Sequence, residues 1–436
     1  MAVQLSGNQI NYSPEWAIAR DIIRKDPSRG NFDFVTQKLS HEEGIAYLAG
    51  EKDLLGAQPH VEVIDCEGSE GSPAEFFIEQ NEGKISLSLV PEQKLFTRSL
   101  LERITPLSKN AQVDIERLIN AKVAVVGCGT VGTQIIEFLA SSGLGNINLG
   151  DTDVISLANT QRVDIWTTSD VGKSKALVDS RYIFHKNPHL VQTVFNEGLT
   201  THNVNDFIPE GTNVVISAVD DPQMMYLICA RAKELEIPFI LATDLDEAVV
   251  VDITDFSTHP EAELLFGRIT GTKLNDIMAQ IKVLEPYATN GDQAAINKIK
   301  VLKGNILRKI VKPTDASARM IKWFRGYVKG ETGNEGLPQT HTAARQAGTY
   351  GGVAALGFIL GQQITDHVKI DARQLLSPKK DNLSSSLQQK KQLLGLVGDV
   401  LRPKVTDALS KMRSKLLKQS LIRALANVMD LYNMLV

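Results

Sequence analysis

Cysteine is scarce in this sequence. Only three of its 436 residues are cysteines, Cys66, Cys128 and Cys229, and no two of them form a Cys-x-x-Cys pair. An odd number of widely spaced cysteines argues against a disulfide framework, and the missing pair argues against a structural zinc site of the usual kind. We therefore expect a chain without zinc that works in a reducing compartment.

Long apolar runs are absent as well. The most apolar window, residues 351–360, is too short and too rich in glycine to span a bilayer. The opening residues, MAVQLSGNQINYSPEW, lack the charged and then apolar pattern of a secretory signal. These two observations predict a cytoplasmic protein that does not interact with a membrane.

Acidic residues are few in the last third of the chain. Residues 298–436 hold 24 Lys and Arg but only 9 Asp and Glu, although the whole chain carries a net charge of −4. This basic part either packs against the acidic part of its own chain or of a twin subunit, or meets an acidic external partner. Nucleic acid is the less favoured partner, because Trp323, Phe324 and Tyr327 fall at helical spacing, which is typical of core packing.

Glycine marks the most informative stretch. The apolar run Lys122–Val126 predicts a strand buried on both faces, and an amphipathic helix and a second strand, residues 146–149, follow it before Asp151. Between the first strand and the helix stands a G-x-G-x-x-G pattern, formed by Gly127, Gly129 and Gly132. In such a unit the glycines let the backbone approach a phosphate, and the acid after the second strand is placed to hold a ribose hydroxyl. The stretch therefore predicts a nucleotide site.

Positive side chains crowd the segment that follows Asp151. A second acid, Asp153, precedes the stretches SLANTQR and VGKSKA. The polar residues of these stretches lie just beyond the strand edge, where open α/β sheets bind ligands. They are Asn159, Arg162, Lys173 and Lys175. Such a set suits a triphosphate better than a nicotinamide ring, although any one member taken alone could be a solvated surface charge.

Two neighbouring acids end a further predicted strand. Residues 213–218 (NVVISA) have the composition of a buried strand, and Asp220 and Asp221 follow just before a proline and a helical pattern. One carboxylate at this edge could hold Mg²⁺ while substrate oxygens and water complete its shell. The alternative is that one of these acids acts only as the N-cap of the helix.

The order of the predicted elements indicates an α/β fold. Further strands are predicted at residues 190–195, 238–242 and 249–253, which together favour a Rossmann-like, doubly wound and mostly parallel sheet. Three parts are predicted: a small N-terminal α/β domain over residues 1–93 with a hairpin at 74–90, a nucleotide-binding domain over 94–375 with a helical insertion at about 257–337, and a basic amphipathic helical extension over 376–436.

By these residues the stretch from Arg98 to Phe256 resembles the ThiF/MoeB/HesA adenylating enzymes, relatives of the ubiquitin-activating enzymes. The matching motifs are GCGTVGT for the glycine turn, DTDV for the acid pair, SLANTQR for the asparagine-to-arginine segment, VGKSKA for the lysine and SAVDD for the metal-side aspartate. Together they are far more specific than the glycines alone.

The resemblance implies ATP-dependent activation of a C-terminal carboxylate, giving an acyl-adenylate and pyrophosphate. By the family pattern, Asp151 would hold the ribose with Asp153 beside it, and Asp220 would bind Mg²⁺. The phosphates would be clamped by Asn159, Arg162 and Lys175. Arg98 stands where the family's arginine reaches across a homodimer into the partner's ATP site, and this role rests on the resemblance alone.

The sequence departs from the family pattern in its glycine turn and its cysteines. Thr130, which directly follows Gly129, stands where the family's turn usually has its third glycine. The zinc cysteines of the family are missing, and no cysteine lies in a loop suited to a thioester. Cys128 and Cys229 are expected to be packed and inert, and Cys66 is a remote candidate. The nearest behaviour is that of the microcin-maturing branch, which adenylates a peptide without an enzyme thioester, and residues 1–93 would dock the peptide by analogy.

The main expectation is therefore adenylation of a peptide or ubiquitin-like protein C-terminus, with ATP and Mg²⁺ and without zinc. Three alternatives stay open. The basic last third fits a tRNA-modifying enzyme like the threonylcarbamoyladenosine dehydratases, Thr130 and the absent thioester cysteine fit a non-catalytic ATP-binding scaffold, and the glycine pattern alone fits an NAD(P) oxidoreductase, for which the sequence offers no hydride-transfer constellation.

Overall fold

The protein is described by a computed structural model that covers residues 35–40, 60–65, 74–81, 84–91, 93–101, 110–310, 315–329 and 338–371, with residues 390 and 392. Its contacts divide the chain into two units. The first comprises Met1–Ala121, Leu139–Ile147 and Ser180–Gln192. The second comprises Lys122–Phe138, Asn148–Asp179 and Thr193–Val436.

The first unit contains a four-stranded sheet. Its strands are β1 (Val35–Ser40), β2 (His60–Asp65), β3 (Ala74–Asn81) and β4 (Lys84–Pro91). They lie in the order β1-β3-β4-β2, with β3 antiparallel to both β1 and β4, and β2 parallel to β4. The predicted hairpin is confirmed, since Asn81 pairs with Lys84 across the turn, whereas β1 and β2 were not predicted.

Two helices follow this sheet in the first unit. Helix α1 (Gln93–Leu100) and helix α2 (Ala111–Asn120) contact each other through polar side chains. Lys94 Nζ lies 2.9 Å from Glu116 Oε1, and Arg98 Nη2 donates to Gln112 Oε1 over 2.9 Å. These pairs are exposed and therefore contribute little to stability.

A seven-stranded sheet confirms the predicted fold class. Its strands are β5 (Lys122–Val126), β6 (Asn146–Gly150), β7 (Val191–Phe195), β8 (Val214–Ser217), β9 (Pro238–Leu245), β10 (Ala248–Asp255) and β11 (His367–Asp371). They lie in the order β11-β10-β9-β8-β5-β6-β7. The pairs β5–β8 and β8–β9 are parallel and buried, whereas β9–β10 and β10–β11 are antiparallel. Strand β11 was not predicted.

The helices follow the predicted order. They are α3 (Thr130–Ser141), α4 (Leu157–Thr160), α5 (Lys175–Lys186), α6 (Val204–Phe207), α7 (Pro222–Glu234), α8 (Gly271–Thr289), α9 (Gln293–Ile310), α10 (Ala318–Lys329) and α11 (His341–Ile359). Helix α11 packs closely, as its Ala and Gly content predicts. A Cβ at Gly348 would lie 2.3 Å from Gln134 Cβ of α3, and one at Gly351 would lie 3.2 Å from Ala242 Cβ of β9.

Helices α8, α9 and α10 lie within the stretch predicted as a helical insertion, about 257–337, whose bounds stay a prediction. Phe324 is buried and Trp323 is partly buried against the core, so their predicted packing role is confirmed. Asp246, a buried aspartate in the β9–β10 turn, forms hydrogen bonds with two residues that lie much later in the chain, Arg319 and Thr340. Asp246 accepts from Arg319 Nε over 2.8 Å, and its carbonyl oxygen accepts from Thr340 Oγ1 over 2.7 Å.

Several predictions fall outside the described residues: the loop at 331–337, the helices at 382–436, Cys66, and most of the proposed docking domain. The domain boundaries at 93 and 376 stay predictions. Among the residues that the structure describes, no helix is both long enough and apolar enough to cross a membrane.

Candidate active site

The glycine turn lies at the end of β5 and has one open face. Gly127 has φ +95°, a left-handed conformation that favours glycine, and its N–H donates to Gly150 O over 3.0 Å. A Cβ at Gly132 would lie only 1.8 Å from Gly127 O, so the start of α3 packs directly on the turn. A Cβ at Gly129 would meet no heavy atom within 4 Å among the described residues. The second glycine therefore leaves room for a ligand to approach the backbone, as a phosphate site requires.

Asp151 joins the tip of β6 to this turn. Its Oδ2 accepts from Cys128 N and its Oδ1 accepts from Asp153 N, both over 2.8 Å. Burial raises the pKa of Asp151, and the hydrogen bond from the Asp153 N–H acts in the opposite direction. A carboxylate has four acceptor positions, so both oxygens can still accept from a ribose hydroxyl.

The structure brings Lys175 to Asp153, although 22 residues separate them. Lys175 Nζ lies 2.7 Å from Asp153 Oδ2; the lysine is buried, whereas the aspartate side chain is 66% exposed. Backbone pairing causes this meeting. Lys175 N donates to Asp153 O over 3.1 Å, and Ile155 N donates to Lys173 O over 2.8 Å.

The segment between these two residues places the other predicted phosphate ligands. Asn159 lies in the short helix α4, and its Oδ1 accepts from Ser156 N over 2.9 Å in a capping box, which leaves its NH₂ group as the donor. Arg162 is half-buried, and its Nε has no hydrogen-bond partner in the described part of the chain. Lys173 pairs with Asp170 over 3.2 Å.

The two acids after β8 have different surroundings. Asp221 is the N-cap of α7, and its Oδ1 accepts from Met224 N over 2.8 Å. Asp220 is exposed one residue earlier. Its strand is parallel to β5, with Ser217 opposite Val126, so Asp220 and the glycine turn follow the same edge of the sheet. The N-cap role therefore falls to Asp221, and the metal-binding role of Asp220 stays a prediction.

Arg98 belongs to the first unit, whereas the glycine turn, Asp151, Arg162, Lys175 and Asp220 all belong to the second. The guanidinium of Arg98 is exposed and donates to Gln112. Its predicted role in a partner's site stays a prediction.

A buried aspartate that was not predicted from the sequence, Asp179, is linked to the glycine turn through Thr133. Asp179 is fully buried and accepts from Thr133 Oγ1 and from Trp166 Nε1, each over 2.7 Å. Thr133 lies on α3, and its Oγ1 also lies 3.2 Å from Cys128 O. Burial raises the pKa of Asp179 well above its usual range. The spacing of Asp179 four residues after Lys175 on α5 is its only sequence signal.

A second missed aspartate, Asp244, lies near the end of β9. It is 5% exposed, and its Oδ1 accepts from Gln339 Nε2 over 3.0 Å, whereas its Oδ2 has no partner among the described residues. Burial raises the pKa of Asp244 to about 6, and the positive charge of Arg162 acts in the opposite direction. Asp244 follows the strand predicted at residues 238–242, and no functional role was predicted for it.

Replacing Asp244 with asparagine is expected to stabilise the protein at neutral pH. Because burial raises the folded-state pKa from 3.8 to about 6, the folded chain binds more protons than the unfolded chain between these values. Stability therefore falls as the pH rises through this window, and the charged carboxylate costs roughly 3 kcal/mol above it. The advantage in Tm of Asp244→Asn over the wild type should grow from pH 4 to pH 7.

Asp276→Asn, which removes a charge from the exposed face of α8, is the control for a general charge effect. If the difference in Tm between Asp244→Asn and the wild type stayed constant from pH 4 to pH 7, Asp244 would not be the buried group that becomes charged in this range.

The two described cysteines are packed, as predicted. Cys128 and Cys229 are both fully buried, and Cys229 Sγ accepts from Leu265 N over 3.3 Å. Burial raises the pKa of Cys229 to about 12 and that of Cys128 well above its ordinary range. Neither thiol has the exposure or the thiolate character of a nucleophile.

Comparison with known proteins matches residues 101–256 to the ThiF family model. This match confirms, for that segment, the predicted resemblance to ThiF-type adenylyltransferases. The matched segment contains the glycine turn, the acids Asp151 and Asp153, Lys175 and Asp220.

Curated relatives share the same segment. The chain is 32% identical over 141 residues to a probable molybdopterin-synthase adenylyltransferase from Porphyra purpurea. This match covers 31% of the chain and 37% of that protein. The chain is also 29% identical over 128 residues to the sulfur carrier protein ThiS adenylyltransferase of Escherichia coli. That match covers 29% of the chain and 51% of the relative. The matches thus span between about a third and a half of these two relatives.

Comparison with solved structures matches the chain to MccB of E. coli and to PaaA, among others. MccB is 16% identical, with 65% of this chain and 71% of MccB covered and a TM-score of 0.44. PaaA is 18% identical, with 82% of this chain and 93% of PaaA covered and a TM-score of 0.44.

Proposed function

We propose that this chain uses ATP and Mg²⁺ to adenylate the C-terminal carboxylate of a peptide or ubiquitin-like protein. The supporting observation is a continuous set of hydrogen bonds in the ThiF-matching segment. The glycine turn donates from Cys128 N to Asp151, Asp151 accepts from Asp153 N, and Asp153 binds the ammonium of Lys175. These hydrogen bonds join the glycine turn, Asp151 and the buried Lys175, to which the proposal gives the phosphate, the ribose and again the phosphate.

The chemistry requires charge compensation and positioning. A carboxylate oxygen of the substrate attacks the α-phosphorus, the bond from that phosphorus to the bridging oxygen breaks, and pyrophosphate leaves with the electron pair. The N–H groups at the start of α3 and the cations of Lys175 and Arg162 offset the negative charge on the phosphates. No proton has to move in this step, so no acid–base pair is needed, and holding the two reactants in line supplies much of the acceleration.

The residues present fit this group of ligands. Gly129 leaves its face open, and Arg162 Nε has no partner among the residues described. Asp220 would hold Mg²⁺, which when bound supplies positive charge that polarises phosphate oxygens. Asp221 is the weaker candidate, because its carboxylate already caps α7.

The proposal includes two further points. The first is that no enzyme thioester forms, which the burial of Cys128 and Cys229 supports. The second is that the active form is a homodimer in which Arg98 reaches the partner's site, which the family resemblance and the exposure of Arg98 support. Residues 1–93 would dock the substrate.

Exchange of labelled pyrophosphate into ATP tests the function. The probes are N-acetylated tripeptides that cover all twenty C-terminal residues, and a purified sulfur carrier protein. Exchange should require ATP, Mg²⁺ and a free C-terminal carboxylate, so the same tripeptides with a C-terminal amide should support none. Cys66→Ser should exchange as fast as the wild type.

A dithiothreitol-sensitive adduct between the chain and its substrate would contradict the thioester-free proposal. The absence of exchange with every carboxylate would contradict the adenylation of peptides.

A further inference from the structure

Asp244 lies at the same edge of the sheet as the predicted metal ligand. In the parallel pair of β8 and β9, Ser217 is opposite Leu241. Asp220 lies three residues after Ser217, and Asp244 lies three residues after Leu241. Both therefore lie at the carboxyl edge of the sheet, which is also where the glycine turn follows β5. Ligands of open α/β sheets bind at this edge.

Two buried polar atoms here lack partners. The Oδ2 atom of Asp244 and the Nε–H of Arg162 are both inaccessible to solvent, and neither forms a hydrogen bond with any described residue. Arg162 is close enough for its positive charge to oppose the burial that raises the pKa of Asp244, and no hydrogen bond joins Arg162 Nε to Asp244 Oδ2. A buried donor and a buried acceptor left in this way are costly unless a ligand satisfies both.

The chemistry of the pair selects the ligand. A phosphate or carboxylate in contact with both Arg162 Nε and Asp244 Oδ2 would be repelled by Asp244, and an ammonium group in the same place would be repelled by Arg162. A neutral group with one donor and one acceptor satisfies both residues. A peptide group is such a group, because its C=O can accept from Arg162 Nε while its N–H donates to Asp244 Oδ2.

We propose that Asp244 and Arg162 bind the last peptide group of the substrate, next to the carboxylate that is activated. This inference rests on the proposed function and specifies its substrate as one with an N–H in its terminal peptide bond. Arg162 has five N–H groups, so its Nη atoms remain free to bind phosphate while Nε binds the peptide carbonyl. One side chain then brings the carboxylate and the nucleotide together.

The test compares a peptide with its ester twin. In N-acetylated tripeptides whose last peptide N–H is replaced by an ester oxygen, the donor to Asp244 is lost and the oxygen faces a carboxylate. A site that binds an N–H strongly rejects an analogue that lacks it. The wild type should prefer the peptide to the ester by at least about tenfold in kcat/KM for pyrophosphate exchange.

Asp244→Asn is nearly isosteric and can keep the contact with Gln339. It should lose the preference, with the peptide-to-ester ratio falling below about threefold, mainly through slower use of the peptide. Asp276→Asn on the exposed face of α8 should keep the wild-type ratio. An unchanged ratio in Asp244→Asn, or no preference in the wild type, would overturn the inference. The wild-type comparison needs no variant, so it decides even if Asp244→Asn does not fold.

Calorimetric titration of the same peptides and esters separates the inference from the proposed function. Tighter binding of the peptide than of the ester, lost in Asp244→Asn, but without any exchange, would support the inference and contradict adenylation. Equal binding of peptide and ester, or binding of neither, would overturn the inference whether or not exchange occurs.

Discussion

Asp220→Ala is expected to lower carboxylate-dependent pyrophosphate exchange by about 100- to 1000-fold, the loss typical when one electrostatic contact to a transition state is removed. The side chain is exposed beyond the end of β8, so the fold should tolerate its removal. Initial rates of exchange at saturating tripeptide, measured across Mg²⁺ concentrations, give the size of the effect. Tm should stay within about one degree of the wild type, as for surface substitutions in general.

Asp221→Ala is the matched control, because the neighbouring acid has the opposite role. Its Oδ1 accepts from Met224 N at the start of α7. Losing this N-cap should cost about 1 kcal/mol of stability and lower Tm, while exchange stays near the wild-type rate. If Asp221→Ala lost exchange and Asp220→Ala kept it, the assignment of the two acids would be reversed.

Alanine at Gly132 should strongly lower the stability of the fold. Its Cβ would lie 1.8 Å from Gly127 O, so α3 would have to move away from the turn. Overpacking at such a site costs about 3 kcal/mol or more, and Tm should fall by several degrees. Binding of Mg-ATP should be lost with it, because the displaced helix and turn carry the proposed phosphate site.

Alanine at Gly129 is the control for this effect. Its Cβ would meet no described atom within 4 Å, so the fold should keep its wild-type Tm. The added methyl group would occupy the face that a phosphate approaches, so affinity for Mg-ATP should fall about tenfold or more. Wild-type affinity in Gly129→Ala would mean that the nucleotide does not lie against this turn.

The parts of the fold that depend on local signals could be predicted from the sequence. The apolar run of β5, the glycine pattern and the acid after β6 are neighbours in the chain, and the structure has them in the predicted order. The insertion was predicted as helical because its apolar periodicity is local too. Strand β11 was missed, because a short strand of mixed polarity is recognised only by its pairing with β10.

The missed residues of the candidate site depend on distant partners. Asp244 is buried beside Gln339, 95 residues away in the chain, and Asp179 is buried by Thr133, which is 46 residues away. An isolated aspartate on a predicted strand or helix is normally solvated, so sequence patterns give no sign that these two carboxylates are buried. The pairing of Lys175 with Asp153 was likewise hidden, although the resemblance had already placed both residues at the nucleotide.

Calorimetric titration of Mg-ATP into the purified chain tests the central claim most directly. The account predicts saturable binding at one site per chain, with a Kd between about 1 μM and 1 mM, the usual range for enzyme substrates. Arg162→Ala and Lys175→Ala should each weaken that binding. A folded wild-type protein that produces no binding heat with Mg-ATP, at any temperature tested, would contradict the account.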